Sequence, residues 1–68
     1  MRALPTYRIY HVAADGRLAA GEAFSAVNDV EAVVRARLQL IGDRSAELWA
    51  GGRLVGRFSR THAFTPGG

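Results

Sequence analysis

The chain has 68 residues, 49% of them hydrophobic, with nine Lys or Arg against six Asp or Glu, a formal charge of +3 and a pI near 10.6. That length makes one small domain, which buries only about 60% of the surface its unfolded chain exposes and gains from the support of a second subunit. The absence of cysteine excludes disulfides and thiolate metal sites, and no apolar run approaches the roughly 18 residues that span a bilayer, so the expectation is a soluble cytoplasmic protein with no membrane partner.

Residues 1–5 lack the apolar stretch of a signal peptide and read as a frayed start. From Thr6 to Val12 the chain carries Tyr7, Ile9, Tyr10 and Val12 without a breaker, and Asp15-Gly16 follows as a strong hairpin turn. A three-residue loop Ala14-Asp15-Gly16 sets Arg8 across from Glu22, Tyr10 from Ala20 and Val12 from Leu18. The second strand runs from about Arg17 to Phe24 or Ser25. Its small Ala19, Gly21 and Ala23 share a face with Tyr7, Ile9 and His11, and that face is expected to meet the helix.

Asn28 is a good N-cap, with Glu31 three residues on as in a capping box and Asp29 adding negative charge to the first turn. Val30, Val33, Val34, Leu38 and Ile41 fall at helical spacing and predict the buried face, while Glu31 and Arg35 pair on another side. Gly42 is the expected end of the helix.

The second hairpin turns at Ala50-Gly51-Gly52. A two-residue loop leaves both faces mixed. A three-residue loop with Gly52 left-handed gathers Ala46, Leu48, Leu54, Gly56 and Phe58 on one face and Glu47, Trp49, Arg53, Val55 and Arg57 on the other. The second register is therefore expected. Residues 59–68 lack periodicity and end in Thr65-Pro66-Gly67-Gly68, the pattern of a mobile tail on a domain spanning 1–58.

These elements predict an α+β fold, a two-layer ββαββ arrangement in which a four-stranded antiparallel sheet carries one helix packed on one face. The uncovered face then presents Arg8, Tyr10, Val12, Leu18, Trp49, Arg53, Val55 and Arg57, too apolar for ordinary surface.

The segments Tyr7-Arg8-Ile9-Tyr10, Asp15-Gly16-Arg17 and Glu47-Leu48-Trp49-Ala50-Gly51-Gly52-Arg53-Leu54-Val55 resemble a group of short uncharacterised alphaproteobacterial proteins of hairpin-helix-hairpin type. The resemblance covers about residues 6 to 58 and rests on turn and strand residues, so it implies a fold and carries no catalytic or binding residue. His11 stands where a large apolar residue is expected late in the first strand. A looser similarity, of fold alone, is to small partial double-stranded-RNA-binding-like domains of antitoxin type.

Chemistry-bearing patterns are sparse. His11 and His62 are far apart with no carboxylate pattern beside them, and Ser25, Ser45 and Ser59 lack the Gly-x-Ser-x-Gly setting of a hydrolase. The glycines belong to turns rather than to a phosphate-cradling loop. Neither an enzyme, a metal site nor a cofactor is expected.

All nine basic residues are Arg, a bias that GC-rich coding explains and that also suits recognition of phosphate or carboxylate. Their dispersal argues against a dedicated nucleic-acid footprint. Trp49 with Arg53 and Arg57 forms a cation-π cluster in one reading, which merely shields the open face. In the favoured reading two copies pack their open faces into a homodimer. The alternative is a platform for single-stranded RNA or DNA, with Tyr10 and Trp49 stacking bases and Arg8, Arg53 and Arg57 meeting phosphates. An unknown protein partner is the remaining option.

Overall fold

A computed structural model describes residues 4–67. In chain order it contains β1 (Thr6–Val12), β2 (Leu18–Ser25), α1 (Asp29–Arg37), β3 (Ala46–Ala50), β4 (Arg53–Phe58) and β5 (Phe64–Pro66). The strands form one sheet in the order β2-β1-β3-β4-β5, every neighbouring pair antiparallel, with α1 on one side. The fold is α+β, as expected, but the sheet has five strands rather than four.

The fifth strand comes from the segment expected to be a tail. A tight turn starts it: Ser59 accepts the N–H groups of Thr61 and Ala63 on its hydroxyl, and His62 takes a left-handed φ of 69°. The His62 Nε2–H donates to the carbonyl of Gly42 at 2.7 Å. Phe64 then pairs with Phe58, their rings 5.1 Å apart, and Gly67 N–H reaches the carbonyl of Val55. Pro66 is tolerated because β5 is an edge strand. The expected frayed start falls mostly outside the described residues, as does Gly68.

In the first hairpin the expected loop is present, with Gly16 at φ 85° and Val12 opposite Leu18. Farther along, Tyr10 faces Ala20 but Arg8 faces Ala23, so β2 carries one extra residue opposite Ile9. This bulge breaks the expected pairing of Arg8 with Glu22. It also turns Phe24 rather than Ala23 toward the helix, where its ring stacks on Tyr7 at 5.9 Å. Gly21 sits at the bulge because a Cβ there meets Ile9 Cγ2 at 2.7 Å.

The second hairpin resolves the two registers by using parts of both. Ala50 pairs with Arg53 around a Gly51-Gly52 loop, with Gly51 rather than Gly52 left-handed at φ 58°. Then Trp49 faces Leu54 while Leu48 faces Gly56, which leaves Val55 as an extra residue in β4. Beyond that bulge the expected faces hold, with Ala46, Leu48, Gly56 and Phe58 buried. Before it they exchange: Leu54 joins Trp49 on the open face, and Arg53 and Val55 turn toward the helix. Val55 is only 7% exposed and belongs to the core.

Asn28 caps the helix by accepting the Glu31 N–H at 2.9 Å, and the Glu31 carboxylate reaches back to the N–H of Val27. The helix ends at Arg37, with Leu38 as its C-cap, several residues before Gly42. Its buried face is not the valine stripe. Ala32 and Ala36 are fully buried against the sheet with Val33 and Leu40 beside them, whereas Val30, Val34, Leu38 and Ile41 are exposed. The large core side chains come from the sheet, from Tyr7, Ile9, Leu48 and Phe58, so it is the small residues of the helix that allow close approach.

Candidate functional site

The side of the sheet opposite α1 presents Arg8, Tyr10, Val12 and Leu18 from the first hairpin and Glu47, Trp49, Leu54 and Arg57 from the second. Six of the eight expected residues are therefore gathered on it, brought together because β1 and β3 pair with Arg8 opposite Trp49 and Tyr10 opposite Glu47. A shallow depression of about 270 Å³ is lined by Tyr10, Leu18, Trp49 and Gly51. Leu18 is half exposed, and Tyr10, Val12, Trp49 and Leu54 are partly so.

Glu47 organises this face. One carboxylate oxygen accepts the Trp49 indole N–H at 3.1 Å and the other accepts Arg57 Nε at 3.2 Å. The indole is thereby held by hydrogen bonding, and the expected stacking of arginine on Trp49 does not form. The cation-π contact found among the described residues is instead Arg37 over the Phe58 ring, at 5.8 Å. Arg8 donates to the carbonyl of Gly21 at 3.1 Å, beside the bulge, and keeps its other donors free of protein partners among the described residues.

Arg53 and Val55, both expected on this face, lie on the other. Arg53 makes a two-pronged contact with Asp29 at the start of α1, 3.0 Å to each oxygen, and the buried Tyr7 hydroxyl donates to the same carboxylate at 2.8 Å. These hydrogen bonds, first from Arg53 and then from Tyr7, hold the Asp29 carboxyl below its ordinary value against the opposing effect of burial. Tyr7 is raised, chiefly by its burial and then by the bond to Asp29. The cluster is a clamp joining β1, α1 and β4. No local pattern announces it, since its members are 22 and 24 residues apart.

Elsewhere, a hollow of about 550 Å³ lies where three loops converge, lined by Val12, Asp43, Arg44, Ser45 and Arg60 among others. Arg60 Nε is engaged there with the carbonyl of Asp43. His11 is separate from this hollow, and its Nδ1 is buried with no hydrogen-bond partner among the described residues. Among those residues no group of three His, Asp or Glu side chains is placed to hold a metal, and no helix is long and apolar enough to cross a membrane. The chain matches no protein-family model, no curated protein and no solved structure.

Proposed function

We propose that this protein is a non-enzymatic interaction module of the cytoplasm that self-associates through the open face of its sheet. The observation that supports this reading is the partly exposed Trp49, fixed by Glu47 and flanked by Tyr10, Leu18 and Leu54 on a face that nothing among the described residues covers. An oriented aromatic anchor in a shallow apolar depression, with charges at its edge, is the composition of an interface centre. The likeness to short hairpin-helix-hairpin proteins adds a fold and no activity.

Nucleic acid is less well served by this arrangement. Arg53 is turned away and occupied by Asp29, Arg57 is held by Glu47, and Arg8 is the one arginine of the three without a carboxylate partner among the described residues. The test is light-scattering-coupled gel filtration over a range of concentrations at two salt levels. The mass is expected to rise above the 7.3 kDa of one chain as concentration increases, and Trp49→Ala to lower it at each concentration. An unchanged mass in Trp49→Ala overturns the sheet-face reading. Binding of single-stranded RNA that Arg8→Ala with Arg57→Ala weakens, with a flatter salt dependence, would replace it.

A further inference from the structure

The outer face of α1 exposes large apolar side chains, and it is independent of the sheet face because it lies on the opposite layer. Val30 is 75% exposed, Val34 59% and Leu38 84%. They follow one another at four-residue intervals, from the first turn of the helix to its C-cap. This spacing reads the same in both directions from Val34. A stripe symmetric about one residue is complementary to itself when a second helix lies antiparallel, Val34 on Val34 and Val30 level with Leu38.

The charges beside the stripe agree with that occupant. Glu31 and Arg35 lie on the same flank and pair within the chain at 3.5 Å. An antiparallel second copy brings its Arg35 next to Glu31 and its Glu31 next to Arg35, so opposite signs meet across the seam. On the other flank Arg37 lies about 9 Å along the axis from its counterpart in the second copy, and its guanidinium is drawn back over the Phe58 ring. In a parallel two-fold pair the flank of Glu31 and Arg35 would instead face the partner's Arg37 flank, so Arg35 would meet Arg37 rather than Glu31.

We infer that the outer face of α1 is a second self-association surface, on which another copy of this chain packs its helix antiparallel about a two-fold axis at Val34. A helix of nine residues is about 14 Å long and offers less than the roughly 800 Å² per partner of a standard interface, so association through it is weak and concentration-dependent.

The absence of cysteine makes a register test direct. In an antiparallel seam centred on residue 34, Val34→Cys oxidises to a covalent dimer. Val30→Cys alone does not, because the two sulfurs' backbones are about 12 Å apart along the axis, beyond the roughly 7 Å a disulfide bridges. Mixing Val30→Cys with Leu38→Cys chains yields the mixed dimer. Adding Trp49→Ala to each variant removes the sheet face and leaves these yields unchanged, so failure of one surface is told from failure of the other. Absence of the Val34→Cys dimer at millimolar protein overturns the inference, as does equal self-crosslinking of Val30→Cys, Val34→Cys and Leu38→Cys. Binding to anionic phospholipid vesicles that Val34→Glu abolishes, without crosslinking in solution, would assign the face to a lipid surface instead.

Discussion

Tyr7, Asp29 and Arg53 show how a residue's role depends on partners the local chain does not contain. Asp29 reads locally as a first-turn carboxylate favoured by the helix dipole, and it also receives Tyr7 from β1 and Arg53 from β4. Because its folded pKa is depressed, its contribution is present above the ordinary value of 3.8 and is lost as pH falls through the folded value. Urea midpoints measured from pH 7 downward should therefore drop for the wild type below about pH 4 and fall less steeply for Asp29→Asn; superimposable slopes would remove the clamp from the acid stability. Tyr7 has the opposite dependence. Its folded pKa is raised from 10.0, so its contribution is complete below that value and lost as pH rises through the folded one. Tyr7→Phe should flatten the alkaline limb and cost about 1 kcal/mol at neutral pH.

At the scale of elements, the helix and the last strand depart most from what their sequences suggest. The valine stripe has the right period for a buried face, but Asp29 lies on the same side as Ala32, Val33 and Ala36, and its anchoring to Tyr7 and Arg53 accompanies burial of that side. Substitutions separate the two faces: at concentrations too low for association, Val34→Gln should stay within about 0.5 kcal/mol of wild type, whereas Ala36→Val should overpack the interface and cost about 1–3 kcal/mol. The reverse order would mean that the stripe is the buried side. Strand β5 is three residues long and contains a proline, so its sequence carries no strand signal; pairing with β4 makes it one. Gly56 permits that pairing, since a Cβ there would stand 2.2 Å from the Phe64 ring and 2.6 Å from the carbonyl of Thr65. Gly56→Ala should accordingly cost about 1–3 kcal/mol and raise amide exchange at Gly67, whose N–H bonds to Val55. Unchanged exchange would show that β5 accommodates the methyl group.

For the molecule as a whole, a thin two-layer domain has two outward surfaces, and here both are apolar: the sheet face around Trp49 and the helix face around Val34. In so short a chain one helix cannot cover both sides of a sheet, and a helix whose buried face is mostly alanine leaves Val30, Val34 and Leu38 outside the core. The candidate site was legible in part. Two strand periods and two turn signals placed Arg8, Tyr10, Val12, Leu18, Trp49 and Arg57 together, because strand alternation persists along a regular ladder. Arg53 and Val55 were misplaced because one inserted residue reverses the alternation beyond it, and nothing in Arg53-Leu54-Val55-Gly56 marks where the insertion falls. By itself the sequence determined the order of the two hairpins and the helix, the capping of that helix by Asn28, the first turn at Gly16 and most of the open face, since each follows from backbone preferences and spacing within a few residues. Only the tertiary structure decided the bulges, the roll of the helix, the fifth strand and the Tyr7-Asp29-Arg53 clamp, because each depends on contacts between segments that local periodicity does not connect.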